Sequence, residues 1–139
     1  MDKFVVGFAF TEDGNSVLLI KKNRPEWQAG CLNGVGGKIE GGETPDQAMI
    51  RECLEETGLY LDWSCRGLMK GKNNDGAIFQ CHIFYAHDNG IENFQQMEDE
   101  ILNIYPTNLL WMREKVDNLR FLIPYGCHND SKPFMTLTY

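Results

Sequence analysis

The sequence has no Cys-x-x-Cys pair, no His-x-x-x-His spacing and no long apolar run. Its five cysteines, Cys31, Cys53, Cys65, Cys81 and Cys127, are odd in number and scattered. That pattern points to reduced thiols in a cytosolic protein, with neither a disulfide framework nor a zinc site. The three histidines, His82, His87 and His128, lack the spacing of a zinc hydrolase. No stretch approaches the roughly 20 apolar residues of a membrane span. The apolar part of residues 1–10 is too short for a signal h-region followed by a cleavage site. A cytoplasmic location with no membrane partner is therefore expected. Positive charge is scarce as well: 13 Lys and Arg stand against 20 Asp and Glu, for a formal net charge of −7. Duplex phosphate binding draws its affinity from Lys and Arg displacing counterions, so a nucleic-acid polymer is not the expected partner. A small anionic substrate is compatible with this balance if metal ions stand between it and the protein.

What is present suits one folded unit. The 139 residues are 42% hydrophobic and 12% aromatic, enough for one core, so a single domain over residues 1–139 is expected. Residues 3–10 and 16–22 are β-branched and aromatic runs separated by Glu12-Asp13-Gly14-Asn15, which predicts an opening hairpin. Residues 23–37, rich in Gly and Asn, predict a loop or a short strand wrapped in loop. The clearest helix start is Thr44-Pro45-Asp46-Gln47: Thr44 caps, Pro45 suits the first helical position, and Gln47 completes a capping box. Gly58 supplies the stop, giving a helix over residues 45–57. Strands follow near 61–72 and 77–87, with Asn73-Asn74-Asp75-Gly76 as their turn. Residues 88–99 predict an acidic loop, 100–105 a strand, 106–108 a bend, 117–127 a short helix and 133–138 a last strand. Strands interleaved with two helices predict an α/β fold with a mixed sheet and helices against its faces.

The helix over 45–57 carries its carboxylates at an awkward place. At about 100° per residue, Met49, Ile50, Cys53, Leu54 and Thr57 share one side, and Glu52, Glu55 and Glu56 the other. Like charges at these spacings cost a few tenths of a kcal/mol per pair. They also occupy the last two turns, where the helix dipole disfavours anions by about 0.3–1 kcal/mol each. An acid-rich face is ordinarily just a solvated one, but this clustering works against the helix twice. Arg51, at the edge of the arc, does not neutralise three carboxylates. A hard divalent cation bound through oxygen would, and Mg²⁺ commonly combines a few carboxylates with substrate phosphates.

These residues carry a family resemblance. Gly37, Glu43 and the run Arg51-Glu52-Cys53-Leu54-Glu55-Glu56-Thr57-Gly58-Leu59 stand at the spacing of the Nudix box, and the sequence resembles that family across 23 residues. The one departure is Cys53 in place of Ile, Leu or Val, and a buried Cys serves as a small hydrophobe. The resemblance implies a Nudix-type α/β/α sandwich with a loop-helix-loop catalytic motif. It implies hydrolysis of a nucleoside diphosphate linked to another moiety, with Mg²⁺ or Mn²⁺ as cofactor. By position, it makes Glu52, Glu55 and Glu56 metal ligands with the carbonyl of Gly36, and it has Arg51 and Glu43 hold each other to orient loop and helix. A carboxylate near a bound water takes its proton as it attacks phosphorus. Glu55 or Glu56 is a candidate base. Some members use a later acidic loop instead, which makes Glu98 and Glu100 candidates here and Glu98 a possible further metal ligand.

Other motifs fail. Gly37-Lys38 lacks the first Gly and the Ser or Thr of a P-loop, Gly34-Val35-Gly36 does not extend to G-x-G-x-x-G, and Asp13, Asp75 and Asp88 lack EF-hand spacing. The stretch from Trp27 to Lys38, with Asn33-Gly34-Val35-Gly36-Gly37-Lys38 at its end, resembles the MutT-like branch, which cleanses oxidised purine nucleotides. That resemblance makes Asn33 the candidate for base recognition, since an amide presents donor and acceptor together; the alternative is that Asn33 only satisfies a turn. Trp27 lies in the same loop, Lys38 is a candidate phosphate contact, and Asp117 and Asn118 resemble a segment that sits beside the base in some relatives. The expected substrate is thus a small nucleotide: a nucleoside triphosphate, oxidised purines such as 8-oxo-dGTP included, cleaved to monophosphate and pyrophosphate. An ADP-ribose or dinucleotide pyrophosphatase is the alternative, although only about 36 residues precede the box and that subgroup often carries extra N-terminal elements. A non-catalytic nucleotide-sensing module is a third reading. The chain is expected to act as a monomer or homodimer. Residues 37–59 carry a net charge of −4 and residues 88–100 one of −5, so the acidity is concentrated in the box and the loop expected to face it.

Overall fold

The structure is a computed structural model that describes residues 1–24, 26–108, 119–128 and 133–138. Its organising strand is β1 (Asp2–Phe10), which runs parallel to β6 (Ile78–His87) along its whole length, Asp2 opposite Phe79 and Phe10 opposite His87. Beyond β6 lie β5 (Ser64–Lys72), antiparallel to it, and then β8 (Met135–Thr138), parallel to β5. The other edge of β1 is divided. Phe4 to Gly7 pair with β4 (Val35–Lys38), and only Ala9 and Phe10 pair with β2 (Ser16–Lys21). The expected hairpin is therefore real but short. Past Leu18, β2 leaves β1, pairs through Ile20 and Lys21 with β3 (Leu32–Asn33), and takes β7 (Ile101–Pro106) on its far edge. The run 32–38 thus bridges the two diverging strands.

Side-chain alternation along β1 builds two cores. Val5 and Ala9 face the helix α1 (Pro45–Thr57), with Met49, Cys53, Trp63 and Phe84 in the same cluster. Val6, Phe8 and Phe10 face the opposite way and pack with Leu119, Leu122 and Ile123 of α2 (Leu119–Gly126). Helices thus cover both faces of a mixed sheet, the layered arrangement expected from the sequence. Tyr85 fastens α2 by donating its hydroxyl to the Leu122 carbonyl at 2.7 Å, and His87 Nε2 lies 2.7 Å from the Gly126 carbonyl.

Several boundaries differ from the sequence reading. The segment 23–37, expected as a loop or a short strand wrapped in loop, contains two short strands, β3 and most of β4, and a 3₁₀ turn at Glu26–Gln28. The acidic loop includes a 3₁₀ turn at Asn89–Asn93, where Asp88 caps by accepting from Gly90 N–H. The strand expected from residue 61 begins at Ser64, and Leu61 and Trp63 before it pack into the α1-side core. The five cysteines are free thiols. No helix among the described residues is long and apolar enough to cross a membrane.

Candidate active site

The site is built on α1, whose ends form as the sequence dictates. Thr44 Oγ1 accepts from the Gln47 N–H at 3.2 Å, and Gln47 Oε1 accepts from the Thr44 N–H at 2.9 Å. At the other end Gly58 takes a left-handed conformation, φ 72°, and donates to the Leu54 carbonyl. The faces of the helix need one correction. Leu54, expected in the core, is 40% exposed, whereas Glu56, expected on the open side with Glu52 and Glu55, is only 5% exposed. The rotation explains it: Glu56 follows Met49 by seven residues, which at 100° each returns it to within about 20° of that core position.

Strand β4 crosses this part of the helix and engages its carboxylates directly. Glu56 Oε1 accepts from the Gly36 N–H at 2.8 Å. Gly37 lies so close to the Glu52 carboxylate that a Cβ at that position would overlap it. The glycine lets the Glu52 carboxylate lie against the strand, a contact with another element that no local turn rule would reveal.

Arg51 ties the cluster together. Its Nε and Nη2 donate to both oxygens of Glu43, at 2.6 and 2.9 Å, the planar fork that suits guanidinium to carboxylate. Nη1 donates to Glu52 at 3.0 Å and to Glu55 at 3.2 Å, and Nη2 also reaches the Lys38 carbonyl at 3.0 Å. Arg51 therefore neutralises more of the cluster than its place on the helical wheel implies. Its guanidinium, first among causes, holds the Glu43 carboxyl below the usual range, with the Glu40 N–H adding to the effect.

Glu56 and Glu52 sit where their charged forms are disfavoured. Burial pushes Glu56 up to about 8, the Gly36 N–H and Lys22 opposing the shift and Glu52 and Glu98 adding to it. Burial likewise raises Glu52, against the pull of Arg51 and with the push of Glu55 and Glu98. Each bond to Glu52, Glu55 and Glu56 from Arg51 or Gly36 engages one carboxylate oxygen, and a carboxylate carries lone pairs on both. Among the described residues no three acidic, His or Cys side chains already converge as a ready ligand set. The donor chemistry nevertheless fits a hard divalent cation: the groups are carboxyls close together on one helix, and a cation would favour the charged form that burial disfavours at Glu52 and Glu56.

The acidic loop presents its two candidates differently. Glu98 is exposed, and its charge adds to the upward push on both Glu52 and Glu56. Glu100 is 7% exposed and is committed elsewhere: it accepts from Lys22 Nζ at 3.1 Å and from the Asn23 N–H at 2.5 Å. Burial raises Glu100, but the Asn23 N–H and Lys22 together outweigh it and leave its carboxyl below the ordinary value. A carboxylate depressed in the fold contributes stability above its unfolded value and loses it as pH falls through the folded one. Glu100→Gln is thus expected to lower the melting temperature at pH 7 and to converge with the unmodified protein under acid, with turnover little changed. Glu98→Gln is expected to lower turnover more than about tenfold at saturating Mg²⁺ without lowering the melting temperature. Thermal melts and single-point kinetics on the two variants read both outcomes, and the reverse pattern would exchange their roles.

The other expected site residues divide. Asn33 lies at the end of β3, where its Nδ2 donates to Gln28 Oε1 at 2.9 Å and its Oδ1 accepts from the Gly34 N–H at 2.8 Å. Lys38 does not stand at the cluster with its ammonium: Nζ pairs with Asp2 at 3.1 Å on the surface, and only its carbonyl joins the site, through Arg51. A strand turns alternate side chains to opposite faces, so with Gly37 against Glu52 its neighbour Lys38 is turned away. The basic side chain that does act on Glu56 is Lys22, at the end of β2, which no motif singled out. Trp27 lies in the backbone turn Glu26–Gln28. Asp117 and Asn118 lie outside the described residues.

A family model described as the NUDIX domain matches residues 1–121, and the chain belongs to that family, whose members are hydrolases of nucleoside diphosphate derivatives that generally use a divalent metal. It is 54% identical over 46 residues to the oxidized purine nucleoside triphosphate hydrolase of Danio rerio, covering 33% of this chain and 29% of that protein. It is 46% identical over 48 residues to the ADP-ribose pyrophosphatase of Methanocaldococcus jannaschii, covering 34% and 28%. The matched segment thus spans less than a third of either relative. The fold resembles that of the mutator MutT protein from Bacillus halodurans, with a TM-score of 0.73 at 18% identity, covering 100% of this chain and 90% of that one.

Proposed function

We propose that the protein is a divalent-cation-dependent nucleoside triphosphate pyrophosphohydrolase, with oxidised purine nucleotides such as 8-oxo-dGTP as the leading substrate class. The observation that carries the reading is the carboxylate cluster on α1, gathered by Arg51 and pressed against β4, with the Asn33 amide two residues before β4 begins. Glu52, Glu55 and Glu56, with the Gly36 carbonyl and Glu98, are the groups that would hold Mg²⁺ or Mn²⁺. The bound cation supplies charge neutralisation at the phosphate oxygens and a more acidic water. Arg51, locked to Glu43, keeps loop and helix in register. Glu55, Glu56 or Glu98 takes the proton of the attacking water; its oxygen bonds to phosphorus, the bridging P–O bond breaks, and its electron pair leaves with the departing phosphate group.

The match to an ADP-ribose pyrophosphatase favours a second reading, in which the linked moiety is a sugar and the products are two monophosphates. A nucleotide-sensing role would not need the full set of Glu43, Arg51, Glu52, Glu55 and Glu56, all of which are present. A panel of nucleoside triphosphates, oxidised purines, ADP-ribose and dinucleoside polyphosphates, with products identified, separates the three. Asn33→Ala is expected to weaken discrimination among purine triphosphates more than it lowers turnover. An unchanged order of preference would return Asn33 to a turn-forming role.

A further inference from the structure

The loop between β2 and β3 is pinned at its neck by backbone bonds. Lys22 N–H donates to the Cys31 carbonyl at 2.9 Å, and Gly30 N–H donates to the Lys22 carbonyl at 2.8 Å. Within it, Cys31 N–H donates to the Gln28 backbone carbonyl at 2.8 Å, which anchors the main chain at Gln28. Asn33 is fixed independently, by pairing with Ile20 of β2. Two anchored residues therefore bring their amides together, Asn33 Nδ2 on Gln28 Oε1 at 2.9 Å, while Gly34 N–H holds Asn33 Oδ1 at 2.8 Å.

We infer that Gln28 is a positioning residue for base selection, which it serves by holding in place the Asn33 amide whose direction Gly34 sets. This rests on the reading of Asn33 as the base contact. A primary amide has two N–H donors and an oxygen with two lone pairs. Gln28 and Gly34 use one of each, leaving one donor and one acceptor for a purine edge. Turning the amide over would set its NH₂ against the Gly34 N–H, so Gly34 sets the direction of the amide, and the bond to Gln28 holds the amide in place. A base that needs the reversed order of donor and acceptor is then rejected by unpaired polar groups. With Gln28 gone, Gly34 alone anchors the Asn33 side chain.

The test compares kcat/KM for dGTP, 8-oxo-dGTP and dATP in Gln28→Leu, Gln28→Glu and Asn33→Ala. Gln28→Leu is expected to narrow the spread between the best and worst base by about fivefold, the worth of one ordinary hydrogen bond. The loss should appear as a raised KM for the preferred nucleotide with kcat nearly constant. Gln28→Glu keeps an acceptor for Nδ2 and is expected to restore the spread; because the three substrates carry the same phosphates, its added charge cancels in the ratio. If Asn33→Ala flattens the preference while Gln28→Leu leaves it intact, Gln28 has no positioning role and Asn33 keeps its own. A Gln28→Glu protein that behaves like Gln28→Leu also overturns the inference, since the acceptor would then not be what matters. If neither Gln28→Leu nor Asn33→Ala changes the preference, the reading of Asn33 fails and the inference with it.

Discussion

Glu56→Gln is expected to reduce hydrolysis by several orders of magnitude while leaving α1 folded, and Glu55→Gln to do the same. The amide of Gln can accept the Gly36 N–H as Glu56 does, so the contact between α1 and β4 survives. What is lost is an anionic oxygen for a cation and a group able to take a proton. Stability supplies a separate readout. The Glu56 carboxyl is raised from 4.5 to about 8, so across that window the folded state holds a proton that the unfolded state has released. Metal-free protein should therefore lose stability as pH rises from 4.5 toward 8, and Glu56→Gln should flatten this decline. Near-normal hydrolysis by either variant would remove that residue from the catalytic assignment.

Chelation is the second large effect. EDTA is expected to abolish activity and added Mg²⁺ to restore it, because without a cation the box and the acidic loop confront an anionic substrate with like charge. Cation and proton compete for the same carboxylates, so Mg²⁺ should raise the melting temperature more near pH 8 than near pH 5. Activity that survives exhaustive chelation would contradict the proposed role of the carboxylates.

The sequence made some of this site legible and hid the rest for identifiable reasons. Capping box, C-terminal glycine and the order of acidic residues are local features, and residues 45–57 form the helix they predict. The burial of Glu56 was also within reach, since its rotation from Met49 is simple arithmetic; grouping it by charge with Glu52 and Glu55 obscured it. Other features depend on which strands meet. That Gly37 lies against Glu52, that Lys38 pairs with Asp2, and that Glu100 is taken by Lys22 and Asn23 follow from β4 meeting α1 and β1 and from β7 pairing with β2. Nothing in the spacing of residues 98–100 separates Glu98 from Glu100. Gln28 carries no motif, and its contact with Asn33 exists because the loop between them is closed at Lys22.

The acidity noted at the outset has a place in this picture. The box and the loop carrying Glu98 supply more than the whole net charge, and in the fold Glu98 acts on both Glu52 and Glu56. The most direct measurement is phosphorus NMR of 8-oxo-dGTP or dGTP turned over with Mg²⁺. The account predicts nucleoside monophosphate and pyrophosphate appearing together from the first time point. Stepwise release of orthophosphate, or no cleavage of any triphosphate alongside cleavage of ADP-ribose, would contradict it.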